Sequence, residues 1–185
     1  MAEKKIISVF GSSAVEVDSE AYREARTLGR LLAEAGFVVM NGGYRGTMEA
    51  VSRGAKGGGG KVIGITLSLF DPYRPSGNRW LDEEIKKGDY LGRLKHLTIE
   101  SDGCIALAGS IGTLTEVFAT WGLLQVGGMN AKPLILVGDR WRRVLRTLVR
   151  ESFIPETELR AIHAVVTPEE AVQVLVERLS HNKAK

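Results

Sequence analysis

The chain is poor in the residues that carry disulfide, metal and redox chemistry. It has one cysteine in 185 residues, Cys104, so no disulfide can form within it. In a strand-like apolar run that thiol reads as a small core residue. The three histidines, His96, His163 and His181, are scattered, with no cysteine or acidic cluster at ligand spacing, so no metal site is expected. No apolar stretch approaches the roughly 20 residues that cross a bilayer. The N-terminus runs from Lys4-Lys5 straight into a strand-like segment, with no signal-peptide core. A cytoplasmic protein without membrane contact is expected. Common cofactor motifs are also missing. No Gly-Lys-Ser/Thr follows a glycine turn, and Gly42-Gly43-x-x-Gly46 lacks the spacing of a dinucleotide fingerprint. No lysine stands in a context suited to a pyridoxal group. No cofactor is expected.

What remains is an ordinary globular composition. A hydrophobic fraction of 44% and a charged fraction of 25% suit one domain with a sizeable core, covering residues 1–185. The net charge of +3 is spread along the chain. Its densest basic segment, Arg140 to Arg150, holds a single aromatic, Trp141, and reads as a solvated helix face, not a nucleic-acid surface.

Short apolar runs alternate with helical periodicity. Strands are predicted at Lys5–Phe10, Phe37–Met40, Val62–Ile65, Gly103–Ala108, Pro133–Val137 and Ala164–Val166, with an ambiguous one around Ile85. Between them, Asp18 or Ser19 caps a helix whose inner face is Ala21, Ala25, Leu28, Leu32 and Ala35, and Gly36 ends it. Further helices are predicted at Met48–Ala55, Leu91–Glu100 and Arg140–Glu151. Thr167-Pro168-Glu169-Glu170 opens the last one with Pro at its first position and a capping box. Residues 69–78 form the longest irregular piece. Continuous apolar strands alternating with helices indicate an α/β fold, a single-domain Rossmann-like parallel sheet with helices on both faces.

Ligands of such sheets bind beyond the carboxyl ends of the strands. Three strands end in small-residue turns there: Gly11-Ser12-Ser13, Gly42-Gly43-Tyr44-Arg45-Gly46-Thr47, and Gly109-Ser110-Ile111-Gly112-Thr113. The third leads into a helix spaced by Leu114, Val117, Phe118, Trp121 and Leu124. Its amides and the positive helix end suit a phosphate. Glu116, placed in the first turn of that helix, has two compatible readings. It closes a capping box with Thr113, or it sets a carboxylate beside the phosphate and its sugar.

These motifs resemble the LOG family, cytokinin-activating phosphoribohydrolases often labelled lysine decarboxylase-like. The resemblance runs from Val9-Phe-Gly-Ser-Ser13 through Asn41-Gly-Gly-x-x-Gly46 to Gly112-Thr113-x-x-Glu116. The family's Pro-Gly-Gly-x-Gly-Thr-x-x-Glu is Ala108-Gly109-Ser110-Ile111-Gly112-Thr113-Leu114-Thr115-Glu116 here. The resemblance implies Arg93, before Ser101-Asp102, and Glu116 as the pair that cleaves the base–ribose bond of a nucleoside 5′-monophosphate. It also implies a homodimer. A related branch resembles molybdenum-cofactor carrier proteins, which bind without hydrolysis, and Ala108 and Ser110 depart from the hydrolase pattern. Two functions are therefore expected to compete: a nucleoside-monophosphate hydrolase and a nucleotide or pterin carrier.

Overall fold

A computed structural model of the chain describes residues 4–74 and 76–181. Its elements in order are β1 (Ile6–Phe10), α1 (Glu20–Glu34), β2 (Val38–Asn41), α2 (Thr47–Gly57), β3 (Val62–Leu67) and β4 (Glu83–Lys87). They continue with α3 (Tyr90–Ile99), β5 (Gly103–Ala106), α4 (Ile111–Gln125), β6 (Leu134–Val137), α5 (Asp139–Arg150), β7 (Ile162–Val165) and α6 (Pro168–His181). Short 3₁₀ turns lie at Ser68–Phe70 and Glu156–Ala161.

The strands form a seven-stranded parallel sheet in the order β4-β3-β2-β1-β5-β6-β7. Side chains alternate across it. Ile7, Val9, Val39, Ile105, Ile135 and Val137 join Tyr22, Leu28, Leu32, Val51 and Leu175 of α1, α2 and α6 on one face. Phe10, Met40, Ile65, Cys104 and Leu136 join Leu97, Val117, Trp121 and Trp141 of α3, α4 and α5 on the other. A strand covered on both faces must be apolar at every position, which is why the strands read as continuous runs. β4 sits at the edge, with its glutamates exposed and Ile85 half-buried, which explains its faint signal.

The inner face of α1 differs from the expected one. Ser19 caps the helix by accepting from the Tyr22 amide, and Tyr22, Ala25, Leu28, Gly29 and Leu32 are buried, whereas Ala21 and Ala35 are exposed. Gly29 and Gly54 account for the rotation. A side chain on Gly29 would run into the Val51 carbonyl, and one on Gly54 into that of Arg26. The helices α1 and α2 therefore pack backbone to backbone.

From β1 the chain winds outward through β2, β3 and β4, then returns to place β5 on the other side of β1. The direction of winding reverses between β1 and β5. Such a switch point opens a crevice at the carboxyl ends of the two strands.

Candidate functional site

The three small-residue turns lie at the carboxyl ends of β1, β2 and β5. The first two are stapled together. The Thr47 amide and hydroxyl both donate to the Ser12 carbonyl, at 2.9 and 3.1 Å. Gly46 has φ +72°, and a side chain there would strike the backbone of Ser12 and Ser13. Asn41, buried at the end of β2, accepts from the Gly43 amide at 2.8 Å and donates to the Ser52 hydroxyl at 2.9 Å. The Gly43 amide and both Thr47 donors thus serve the fold's own turns, while Gly11, Ser12 and Ser13 line the junction half-buried.

Arg93 and Glu116 come together from different helices. Asp89 starts α3 by accepting from the Gly92 amide at 2.7 Å, which puts Arg93 one turn in and pointing at the strand ends. Its Nε donates to the Ile65 carbonyl at 2.7 Å and its Nη2 to the Gly42 carbonyl at 3.2 Å. The remaining Nη1 faces Glu116 Oε1 at 3.8 Å, an ion pair too long for a hydrogen bond. Beneath the guanidinium lies the Tyr44 ring, 5.9 Å from its carbon, and the Tyr44 hydroxyl is tied to the Leu67 amide at 2.9 Å. Both charged residues are buried, Arg93 at 9% and Glu116 at 8% exposure. Burial pushes the Glu116 carboxyl up to about 7, against the opposing pull of the Arg93 charge.

The third turn departs from the expected capping box. α4 begins at Ile111 with Ser110 as N-cap, and the Leu114 amide closes the first turn on the Ser110 carbonyl at 3.0 Å. Thr113 is therefore the third helical residue and Glu116 lies in the second turn, so the two cannot form a box. Ser110 supplies no side-chain cap either. Thr113 Oγ1 is buried without a hydrogen-bond partner, although Thr115 and Thr120 on the same helix each donate to the carbonyl four residues back. Gly109 packs directly against it, since a side chain there would strike Thr113. Around Gly112 there is open space. An uncapped helix start with an orphan hydroxyl one turn from Glu116 is chemically suited to an anion.

Sequence reasoning named Tyr44 only as a turn residue and Asn41 only as the head of the Asn41-Gly-Gly-x-x-Gly46 motif, and gave neither a role in the site. Each left a signal: a bulky ring between glycines, and an amide closing an apolar strand. Among the described residues no group of three or more His, Cys, Asp or Glu could hold a metal ion, and no helix is long and apolar enough to cross a membrane.

Residues 4–172 match the SLOG cluster4 family. The chain belongs to that family. Among the relatives of this SLOG cluster4 protein is a probable cytokinin riboside 5′-monophosphate phosphoribohydrolase of Oryza sativa subsp. japonica, 31% identical over 92% of this chain and 71% of that one. A cytokinin riboside 5′-monophosphate phosphoribohydrolase of Mycobacterium tuberculosis is 28% identical over 87% and 88%. The molybdenum cofactor binding protein of Rippkaea orientalis superposes with a TM-score of 0.74 at 28% identity, over 96% of this chain and 98% of that one. The molybdenum cofactor carrier protein of Chlamydomonas reinhardtii shares the fold at 21% identity and a TM-score of 0.73.

Proposed function

We propose that this protein is a phosphoribohydrolase that cleaves the N-glycosidic bond of a nucleoside 5′-monophosphate, releasing free base and ribose 5-phosphate. The observation that carries this reading is the buried Arg93–Glu116 pair, held 3.8 Å apart with the Glu116 carboxyl poised near neutrality. The 5′-phosphate takes the Gly109–Thr113 turn, where the α4 amides and the orphan Thr113 hydroxyl donate. That places the ribose over Glu116. As the bond from C1′ to the base nitrogen breaks, its electron pair leaves with the base and C1′ becomes oxocarbenium-like. The Glu116 carboxylate stabilises that cation and accepts a proton from the attacking water, whose oxygen bonds C1′, and this proton passes on to the departing base nitrogen. Arg93, anchored on two carbonyls, keeps one nitrogen for the ribose or phosphate and favours the ionised form of Glu116.

The named relatives at 28–31% identity support the hydrolase. A carrier without turnover is favoured by Ala108-Gly109-Ser110 standing where a hydrolase has Pro-Gly-Gly, and by the likeness to the Rippkaea protein. Incubation with a panel of nucleoside 5′-monophosphates, followed by chromatography for free base, separates the two. Base release supports hydrolysis, and tight binding of nucleotide or pterin without release supports the carrier.

The protein acts in the cytoplasm as a homodimer through α4. Phe118 is 41% exposed and stacks on Trp121 at 5.9 Å, and Ile111, Leu91 and Val126 expose further apolar surface. A monomer by light scattering at micromolar concentration would sink this assembly.

A further inference from the structure

Beside the crevice, on its β3 side, lies a cavity of about 660 Å³ lined by Tyr44, Arg45, Glu49, Arg74, Asn78 and Arg79, among others. Three arginines thus face one carboxylate. None of the three forms an ion pair with a described carboxylate, whereas Lys56, Lys61 and Lys86 all do. Aromatic rings hold two of them instead. Arg74 lies 5.6 Å from the Tyr44 ring and 5.9 Å from that of Phe70, and Arg79 lies 4.8 Å from that of Trp80. A ring positions a guanidinium without neutralising it, so its donors stay available to an oxyanion.

The wall is built by the fold. The Asn78 amide donates to the Gly43 carbonyl at 2.7 Å, and its side chain donates to the carbonyls of Gly43 and Tyr44 at 3.1 and 3.0 Å. Asn78 also accepts from the Trp80 amide at 3.0 Å, which sets the segment carrying Arg79. Tyr44 is common to both places, with Arg93 and Arg74 each stationed within 6 Å of its ring.

We infer that this cavity is a second anion site, which takes a phosphoryl or carboxylate group at the end of the ligand remote from the Gly109–Thr113 turn. The inference rests on the proposed seating of the 5′-phosphate in that turn. It gives the ligand two separate anionic groups: a nucleotide with a second phosphate, or one whose base carries a carboxylate.

The test is calorimetric titration of the full chain with adenosine 5′-monophosphate, adenosine 3′,5′-bisphosphate, inorganic pyrophosphate and succinate. The parent, Arg74→Gln/Arg79→Gln and Thr113→Val are compared, each checked for folding by its melting curve. In the parent, pyrophosphate or succinate should bind, pyrophosphate tighter if the group is phosphoryl and succinate tighter if it is a carboxylate. The arginine double variant should weaken that anion, and the bisphosphate if the group is phosphoryl, roughly tenfold or more while leaving the monophosphate nearly unchanged. Thr113→Val should weaken the monophosphate. Should the double variant bind the anions as the parent does, or the parent bind neither anion, the second site is overturned while the Thr113 result still judges the turn. If Thr113→Val leaves the monophosphate untouched but the arginine variant loses pyrophosphate, the turn is wrong and the second site stands.

Discussion

The two ends of the sheet use the same kinds of residue to opposite effect. At the amino end, Lys132 is half-buried and donates to the carbonyls of Thr98, Ile99 and Ser101 and to the Ser101 hydroxyl, closing the last turn of α3. Asp102 there accepts from the Ile6 amide at 2.7 Å. At the carboxyl end, Arg93 leaves one nitrogen 3.8 Å from Glu116, and Thr113 has a hydroxyl with no partner. A cation satisfied by carbonyls on all sides holds the chain together. A cation, a carboxyl and a hydroxyl left short of partners have bonding capacity to offer a ligand, and the fold bears the strain of burying them.

The sharpest way to break this contrast is Glu116→Gln. Gln keeps the volume but neither holds charge nor accepts a proton, so turnover should fall by about two orders of magnitude or more with ground-state binding little changed. Base release at the parent rate would show that the carboxyl end is as structural as the amino end. The same variant sharpens the contrast in stability. Glu116 has a folded value near 7 against 4.5 for the free side chain, so between those values the folded state holds the extra proton. Its contribution is therefore full below pH 4.5 and is lost as pH rises to about 7, a change on the order of 2–3 kcal/mol. Melting curves should show the parent losing stability relative to Glu116→Gln between pH 4.5 and 7.5. Parallel pH profiles would mean that the carboxyl is not desolvated.

At the other end, Lys132→Met should cost about 2 kcal/mol through stranded carbonyls, with kcat of the folded fraction unchanged. A kcat change without a stability change would reverse the assignment. The smallest effect compares two threonines. Thr167 caps its helix: its hydroxyl accepts from the Glu170 amide at 3.2 Å, and the Glu170 carboxylate reaches back to accept from the Val166 amide at 2.7 Å. Thr167→Ala should cost about 1 kcal/mol, whereas Thr113→Val, which removes an unpaired hydroxyl, should be neutral or slightly stabilising. Chemical denaturation measures both.

The last pair also shows what the sequence could convey. Thr-x-x-Glu occurs at Thr113 and at Thr167, and only the second forms a cap, because the chain enters α4 at Ser110, three residues before Thr113. Strands and helices were legible because burial on both sheet faces dictates apolar runs, and the Arg93–Glu116 pair was legible through family resemblance. The partners of Arg93 were not, since the Ile65 and Gly42 carbonyls lie 28 and 51 residues away and carbonyls have no sequence signature. The same holds for the Thr47–Ser12 staple, and for α1, where two glycines set the rotation of the helix against any count of apolar side chains.

The return of β5 to the far side of β1 also sets an order of events as the chain folds. Residues 6–99 carry β1 to β4, each strand pairing with the next one in sequence, so this half of the sheet can assemble early. Until Gly103–Ala106 docks, β1 is a bare edge whose amides and carbonyls face another chain as readily as their own, the situation in which strands pair between molecules. Closing that edge spans 96 residues at the Ile6–Asp102 contact and brings Glu116 to Arg93 in the same stroke. A nascent or truncated chain ending before β5 thus lacks Glu116 and presents an edge prone to self-association.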